Sequence, residues 1–483
     1  MDHILSVLII VYYIFLVITA IYLLLDNREP SSTIAWLVLF ILFPVLGFIA
    51  YVFFGRSWKR SRAQDKLVHQ FIEGNLAYPL KPLLERQETE LENLQSKWAT
   101  SYKRELMQLL ANTSNSILTA NNRLKIFHHG KDKFDCLLED LNNAKAFIHM
   151  EYYIWRHDEL GQKIKAILIE RAKKGVEVRI LYDSWGCMFL SKKYIRELRG
   201  AGIDIYPYFN FLSLFTAHTL NYRNHRKLVI IDGTIGYNGG VNIGDEYING
   251  GKFKFWRDTH LRVEGEATSI YQAIFTIDWY NTTKKKLFDE KYYRPAFDLK
   301  DDLPIQISTS GPDSQWLSIK QLYFALIKSA EKHLFIQSAY FIPDPSIFMA
   351  LKTAALSGIE VKIMITGVVD HWLPYWSAFT YFEDLLQAGV RIFHYKKGLM
   401  HAKTISIDSQ VCSIGTANLD IRSFHLNYET NTLIYEEDCA LAIERQFMED
   451  LKDCREFTLE DFSNLTTAAK LRNSLARLFA PLL

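Results

Sequence analysis

The chain has 483 residues, of which 49% are hydrophobic. That length suits roughly two or three domains, and the apolar content excludes a chain that is disordered throughout. Lys and Arg number 56 against 54 Asp and Glu, so the net charge of +2 does not indicate a protein that coats nucleic acid. The five cysteines, odd in number and without a Cys-x-x-Cys pair, disfavour a disulfide framework or a zinc site and fit a reducing compartment.

Two long apolar blocks open the chain. Residues 4–25 and 34–54 hold no charged side chain, and each block is long enough to cross a hydrocarbon core of ~30 Å at ~1.5 Å per residue. A cleaved signal peptide is disfavoured because the first residues contain Asp2 but no Lys or Arg, and because no small-residue cleavage site follows. We therefore predict a transmembrane helical hairpin over residues 1–55.

The basic residues beside the hairpin predict its orientation. Five Lys and Arg residues lie within 56–66, whereas the connection between the two blocks contains only Arg28. The positive-inside rule then places the rest of the chain in the cytoplasm. Residues 56–110 are predicted to be a basic collar and a helical linker, and the collar either flanks the membrane or binds anionic headgroups.

The remainder of the chain contains an internal repeat with a period of about 180 residues. Residues 146–158 (AFIHMEYYIWRHD) resemble residues 334–344 (LFIQSAYFIPD), and residues 172–186 resemble 355–372. The β-branched runs alternate with helical segments, which is typical of α/β units around a mostly parallel sheet. We predict two tandem α/β/α domains, at residues 111–300 and 301–483.

One motif occurs in both halves, in register with the repeat. Its pattern is H-x-K-x4-D-x6-G-(G/T)-x-N, and two matches in register are far less expected by chance than one short motif. The first half provides His225, Lys227, Asp232, Gly239, Gly240 and Asn242, and the second half provides His401, Lys403, Asp408, Gly415, Thr416 and Asn418.

The spacing of the motif indicates phosphate chemistry. Residues two apart on an extended strand share a face, so each histidine stands beside its lysine. Ammonium groups, amides and backbone N–H groups near glycine suit phosphate oxygens. We expect the phosphate-binding residues to include Asn242, Asn418, Gly240 and Thr416. Asp232 and Asp408 complete the catalytic motif, although their place at a strand-to-turn junction favours fixing that turn over contact with substrate.

At these residues the sequence resembles the phospholipase D superfamily, whose two such motifs form one active site at the interface of two halves. The resemblance covers residues 111–483, and with the hairpin and its NREPSSTIAW connection the chain resembles the bacterial cardiolipin synthases of the phospholipase D type. It implies a phosphatidyltransferase that joins two phosphatidylglycerol molecules into cardiolipin and glycerol. It also implies an integral protein of the bacterial cell membrane that interacts with anionic lipid and not with nucleic acid.

The resemblance implies that neither a metal nor a cofactor is needed. His128 and His129 look like a metal-binding pair, but no third ligand lies at a suitable spacing, so we interpret them as structural. The oligomeric state is left open.

The resemblance further implies roles for the histidines. One forms a phosphohistidine, and the other acts as general acid and then as general base. By the commoner pattern in the superfamily His225 is the nucleophile and His401 the acid and base, but the near symmetry of the motifs leaves the reverse assignment open. Superfamily members also place a carboxylate against each histidine to orient it, and the candidates are Asp258 and Glu429, which lie 33 and 28 residues beyond His225 and His401.

Three other activities stay open. A hydrolase that releases phosphatidic acid shares the chemistry. A superfamily nuclease is disfavoured by the hairpin and by the lack of a long basic tract, and a membrane scaffold is disfavoured by the two intact motifs.

Several apolar segments have two interpretations. The aromatic loops at 184–190 and 371–376 and the stretch at 209–215 either line the mouth of the site and receive acyl chains or belong to the core. Apolar residues recur at helical spacing from Leu471 to Leu482 with basic residues between them. This C-terminal helix could lie on a membrane, but we expect it to pack on its own domain.

Overall fold

A computed structural model describes residues 2–25, 30–43, 46, 47, 51, 74–87, 101–209, 221–294 and 302–480. Contacts between α-carbons divide the chain into two compact units. One unit comprises residues 1–66 and 210–221, and the other comprises residues 67–209 and 222–483.

The first unit begins with two helices in contact, α1 (Asp2–Leu25) and α2 (Pro30–Leu42). The Tyr12 hydroxyl donates to the Phe40 carbonyl at 2.7 Å, and Leu23 packs with Phe40. The second predicted helix is found only as far as Leu42, and most of residues 43–54 lie outside the described residues. Within the described part of the chain, no helix has the combined length and apolar character that a membrane crossing requires.

In the second unit, helix α3 (Ser101–Ser114) precedes a series of alternating strands and helices. In its first half the strands are β1 (Thr119–His129), β2 (Phe147–Tyr152), β3 (Glu177–Tyr182), β4 (Asp204–Pro207), β5 (Arg223–Asn224), β6 (Lys227–Ile231), β7 (Ile235–Gly239) and β8 (Trp256–Gly265). The helices of this half are α4 (Gly130–Asn143), α5 (Glu159–Lys173), α6 (Lys192–Gly200), α7 (Glu246–Asn249) and α8 (Ala267–Thr283).

The second half repeats this series. Its strands are β9 (Asp302–Ser310), β10 (His333–Ser338), β11 (Phe341–Ile342), β12 (Glu360–Thr366), β13 (Arg391–Tyr395), β14 (Leu399–Met400), β15 (Thr404–Ile407), β16 (Val411–Gly415), β17 (Leu419–Asp420), β18 (Asn427–Ile434) and β19 (Cys454–Phe457). Its helices are α9 (Ser318–Ser329), α10 (Pro345–Leu356), α11 (Trp372–Ala378), α12 (Phe382–Gln387), α13 (Ile421–His425), α14 (Glu437–Leu451), α15 (Leu459–Ser463) and α16 (Thr467–Arg477).

Equivalent aspartates begin the first long helix after the first parallel strand of each half. The Asp158 carboxylate accepts from the Gly161 N–H at 3.1 Å and caps α5, while Asp344 accepts from the Ile347 N–H at 3.0 Å and caps α10. Such side chains satisfy N–H groups that have no partner within the helix. The repeat seen in the sequence therefore has a local structural basis.

The strands of the two halves pair in the same pattern. β2, β3 and β4 are parallel, as are β10, β12 and β13. The strand that follows each motif histidine runs antiparallel, β6 against β2 and β15 against β10. The halves join where β1 pairs with β9 and where β5 pairs with β18.

The predicted α/β class is confirmed, but the sheet is mixed and not mostly parallel. The reason is that β6 and β7, and likewise β15 and β16, are joined by tight hairpins that reverse the chain, and β8 pairs antiparallel with β7. The predicted domain start at residue 111 falls inside α3, whose Leu106 and Leu110 pack in the core of the second half. The predicted boundaries near residues 55 and 300 lie outside the described residues.

Candidate active site

Each motif histidine lies directly before a buried strand and is held by the backbone of the other half. The N–H of His225 donates to the Tyr428 carbonyl at 2.9 Å, and that of His401 donates to the Arg257 carbonyl at 2.7 Å. Both contacts come from the edges where the halves meet, since β5 pairs with β18 and β14 pairs with β8. The junction of the halves therefore fixes the position of both imidazoles.

Each imidazole also contacts a carboxylate from the other half. His225 Nδ1 lies 2.9 Å from Glu429 Oε2, and His401 Nδ1 lies 2.7 Å from Asp258 Oδ2. All four side chains are buried. Distance along the chain suggested the opposite pairing, because Asp258 follows His225 and Glu429 follows His401 within the same half. The crossed arrangement makes each histidine–carboxylate pair depend on both halves.

The electrostatics of these pairs favour neutral imidazoles beside ionised carboxylates. Burial lowers the pKa of His225 to about 4, against the opposing effect of Glu429, and burial also lowers the pKa of His401. Burial opposes ionisation of Glu429, but His225, Lys227 and the Thr416 hydroxyl together lower its pKa to about 2. A neutral imidazole that donates from Nδ1 keeps its lone pair on Nε2, where it can act as nucleophile or base.

The two motif lysines lie behind their histidines and are buried. Each Nζ donates to the carbonyl of the histidine two residues earlier, at 2.5 Å for both Lys227 and Lys403. Burial lowers the pKa of Lys227 to about 7 and that of Lys403 to about 8. Lys403 also lowers the pKa of His225, and Lys227 lowers that of His401, so the charges of the two motifs act within one site.

The two motif asparagines, both expected to bind phosphate, differ in their contacts. The Asn242 carbonyl oxygen accepts from the Ile154 N–H at 3.1 Å, and its amide nitrogen donates to the Tyr247 hydroxyl at 2.9 Å. The side-chain oxygen of Asn418 is buried and has no hydrogen-bond partner among the described residues. Because an amide can rotate to present either oxygen or nitrogen, Asn418 is the better placed of the two to meet a substrate oxygen.

Thr416 and Gly240, which the sequence predicts to bind phosphate, lie against the two carboxylates. Their backbone N–H groups donate to the carbonyls of Thr430 and Thr259 at 3.1 and 2.9 Å. The Thr416 hydroxyl donates to Glu429 Oε2 at 2.5 Å. A Cβ at Gly240 would lie 1.9 Å from Asp258 Oδ1, so glycine leaves the space that this carboxylate occupies.

Asp232 and Asp408 lie at the far ends of their strands from the histidines. The seven steps along the chain from His225 to Asp232 span roughly 23 Å at ~3.3 Å per residue. Asp232 accepts from the N–H groups of Lys145, Ala146 and Phe147, and Asp408 accepts from those of Glu331, Lys332 and His333, all at 2.7–2.9 Å. Both residues have positive φ. These contacts are structural, because each aspartate fixes the turn after its strand. Among the described residues, no contact of either aspartate supports the catalytic role that the motif suggests.

Aromatic rings flank both histidines, which the motif did not indicate. The Tyr153 ring centroid lies 4.9 Å from that of His225, and the Trp256 centroid lies 5.4 Å from that of His401. Tyr153 directly follows β2. Trp256 belongs to the FWRD segment, which also contains the predicted carboxylate Asp258. In the aromatic loops, Trp185, Phe189 and Trp372 are exposed, so these positions are surface and not core. Of the predicted stretch at 209–215, residues 210–215 lie outside the described residues.

A metal cluster is not found among the residues that the structure describes: no group of three or more His, Cys, Asp or Glu is arranged to hold an ion. His128 Nδ1 lies 3.5 Å from the Arg257 guanidinium. Burial, followed by Arg257, lowers the pKa of His128 to about 3. These contacts with Arg257 indicate that His128 has a structural role in the folded unit.

Family models match two parts of the chain. The model described as "Cardiolipin synthase, PLD-like domain" matches residues 137–279 and 323–451, one range in each half, and both ranges include a motif. The model described as "Phospholipase_D-nuclease N-terminal" matches residues 9–56.

Similar proteins extend over nearly the whole chain. The cardiolipin synthase of Geobacillus sp. (strain WCH70) is 42% identical over 467 residues, which cover 95% of this chain and 90% of that protein. The major cardiolipin synthase ClsA of Bacillus subtilis (strain 168) is 40% identical over 484 residues, which cover 99% of each. The crystal structure of phosphatidylserine synthase from Haemophilus influenzae Rd KW20 covers 80% of this chain and 100% of that one, with a TM-score of 0.60 and 16% identity, so this similarity concerns the fold.

Proposed function

The chain belongs to the cardiolipin synthases of the phospholipase D superfamily, which are phosphatidyltransferases, and we propose that its two histidines carry the phosphatidyl group from one phosphatidylglycerol to another. The observation that carries the proposal is the pair of buried imidazoles, each bonded through Nδ1 to a carboxylate of the opposite half. The proposed sequence has two displacements at phosphorus.

In the first displacement His225 is the nucleophile. The lone pair on its Nε2 forms a bond to phosphorus while the bond from phosphorus to the headgroup glycerol oxygen breaks. That oxygen takes a proton from His401 Nε2, and glycerol leaves. His401 has to be protonated beforehand, and the negative charge of the bound phosphate favours its imidazolium form.

In the second displacement a second phosphatidylglycerol replaces the leaving glycerol. Its headgroup hydroxyl gives a proton to His401 Nε2, and its oxygen attacks phosphorus as the bond to His225 breaks. The products are cardiolipin and glycerol, and both imidazoles return to their starting states. The division into two steps suits one neutral and one protonated imidazole in a shared site.

We propose that Lys227, Lys403 and Asn418 hold the non-bridging phosphate oxygens. Burial lowers the pKa of both lysines, so their positive charge is costly when no phosphate is bound. An arriving phosphate offsets that cost, because an opposite charge nearby favours the ammonium form. Glu429 and Asp258 are positioning residues, since they orient the imidazoles without contact to the reacting atoms.

We further propose that residues 1–55 anchor the chain in the bacterial cell membrane as a two-helix hairpin, with the collar at 56–110 and the two halves at 111–300 and 301–483 on the cytoplasmic side. Support comes from the two uncharged blocks, the contact between α1 and α2, the basic residues at 56–66 and the N-terminal family model. Labelling of cysteines introduced at Asn27 and at Ser61, from either side of sealed vesicles, tests this topology. Labelling of Asn27 and Ser61 from opposite sides supports the hairpin, and labelling of both positions from the same side contradicts it.

The products identify the reaction. Full-length protein is supplied with phosphatidylglycerol labelled in its headgroup glycerol and in its acyl chains. The proposal predicts labelled cardiolipin and one free glycerol for each cardiolipin formed. Phosphatidic acid as the main lipid product would instead identify a hydrolase.

A further inference from the structure

The last described helix, α16, turns its leucines outward. Leu471 and Leu475 of this helix, and Leu478 directly after it, are 60%, 52% and 74% exposed, whereas Asn473 and Ala476 are each 3% exposed. At 100° per residue the three leucines fall within about 60° of one another, and Asn473 and Ala476 lie on the opposite side. A helix at the surface of a soluble domain normally buries its apolar stripe. The reversed pattern requires an explanation.

A neighbouring helix extends the apolar surface. α16 packs on α11, and the Arg472 guanidinium lies 4.6 Å from the ring centroid of Trp376 in that helix. At the start of α11, Trp372 and Leu373 are exposed. We define the apolar ledge as the exposed large apolar residues of these two helices together with the two residues that follow α16: Trp372, Leu373, Leu471, Leu475, Leu478 and Phe479.

Basic residues border the leucines of the ledge. α16 contains Lys470, Arg472 and Arg477 and no acidic residue. On the helical wheel Arg472 lies on one side of the leucines, and Lys470 and Arg477 lie on the other. An apolar stripe with basic flanks is the pattern of a helix that lies in the interface of an anionic membrane.

A second copy of the chain is the other obvious partner. In a two-fold dimer the same surface meets itself, so three positive charges would face three positive charges around the leucines. Anionic headgroups instead complement those charges. The charge pattern therefore favours lipid over a second copy.

The ledge begins next to the candidate active site. Asp370 lies two residues before Trp372, and its carboxylate accepts from the Tyr340 hydroxyl at 3.0 Å. The charge of the same carboxylate reaches Lys403 of the second motif. A membrane in contact with the ledge would thus lie beside the site that handles phosphate.

We propose that the apolar ledge inserts into the interface of an anionic bilayer and holds the mouth of the site against the membrane, so that lipid enters from the bilayer. The proposal depends on the proposed function only for the lipid nature of the substrate. It adds a membrane contact that belongs to the folded catalytic unit.

Photo-crosslinking tests the contact directly. Full-length protein in phosphatidylglycerol vesicles carries the photoreactive residue p-benzoylphenylalanine in place of Leu475, with Leu356 as the matched control because it is 71% exposed on α10. We expect lipid adducts at position 475 in at least about tenfold excess over position 356, since burial of one leucine-sized group changes partitioning by about that factor. Crosslinks to a second protein chain, or equal lipid yields at the two positions, would overturn the proposal.

Activity in two environments separates this proposal from the proposed function. Leu471→Glu with Leu475→Glu is expected to lower cardiolipin formation about tenfold in vesicles and to leave it unchanged in detergent micelles, where lipid reaches the site without a bilayer. Leu356→Glu is expected to change neither rate. Equal losses in vesicles and micelles, or no loss in vesicles, would contradict membrane contact by the ledge. Absence of cardiolipin from the unsubstituted protein would instead contradict the proposed function.

Discussion

Glu429→Gln tests how much the crossed pairs contribute to the reaction. The carboxylate is fully buried and lies 2.9 Å from His225 Nδ1, and it also accepts from the Thr416 hydroxyl at 2.5 Å and from the Asn427 amide at 3.1 Å. Glutamine keeps the shape but removes the charge. It also brings an N–H₂ group that can donate to Nδ1 and so favours the imidazole tautomer whose Nε2 carries the proton.

An imidazole with its proton on Nε2 cannot attack phosphorus through that nitrogen. Without the negative charge of Glu429, the imidazolium form of His225 is also less stable. We expect kcat to fall about 10,000-fold, or ~5.4 kcal/mol, as for the aspartate of a catalytic triad. The assay is the initial rate of cardiolipin formation from labelled phosphatidylglycerol. Because the substitution removes the carboxylate without removing a binding group for phosphate, KM should change far less than kcat.

Glu444→Gln is the matched control. Glu444 is also a buried carboxylate in contact with a histidine, 3.0 Å from His333 Nε2, but it lies outside the two motifs. We expect this variant to be less stable and to keep nearly the full rate per folded molecule. A loss of kcat in Glu429→Gln no larger than in Glu444→Gln would refute the positioning role of Glu429.

Three further predictions follow from the electrostatics and from the turn. Lys227→Met should raise the melting temperature at pH 7, because it removes a buried cation whose pKa burial lowers to about 7, and should abolish activity in the product assay; a lower melting temperature would contradict this. Because the pKa of His225 is about 4, the acid limb of kcat/KM should lie near pH 4. The free energy of unfolding should rise with pH between 4 and 6.5, because in that range the histidine binds a proton in the unfolded chain but not in the folded one. An acid limb near pH 6.5 would contradict the lowered pKa. Asp232→Ala should lower the free energy of unfolding by ~2–4 kcal/mol through three unpaired N–H groups, measured by urea denaturation, with near-normal kcat in the folded fraction; a kcat loss as large as that of His225→Ala would restore a catalytic role.

The family, the enzyme class and the α/β fold could be predicted because they depend on local patterns. The duplicated motif places His225 and Lys227 on one short segment, and the same spacing recurs at His401 and Lys403. Helix caps such as Asp158 likewise act within a few residues of their position. Short-range geometry of this kind is encoded in residue spacing.

The crossed pairing could not be predicted from the sequence, because it depends on contacts between residues 204 and 143 positions apart. His225 meets Glu429 since β5 pairs with β18, and nothing in either strand indicates that partner. Gly240 and Thr416 occupy equivalent positions of the two motifs, and only the neighbouring carboxylates explain why the residues differ. Gly240 leaves space for Asp258, whereas Thr416 donates to Glu429. The exposure of the leucines of α16 could not be predicted from the sequence either, because helical spacing reveals an apolar stripe but not the direction in which the stripe faces.

Isolation of the covalent intermediate tests whether His225 carries the phosphatidyl group. Full-length protein is quenched in alkali within the first turnover on phosphatidylglycerol labelled in its phosphate, digested, and analysed by mass spectrometry for a labelled histidine peptide. We expect an alkali-stable, acid-labile adduct on His225 that is absent from His225→Ala. An adduct on His401 would reverse the assignment of the two histidines. Full turnover to cardiolipin by His225→Ala, or the absence of any histidine adduct under single-turnover conditions, would contradict the mechanism.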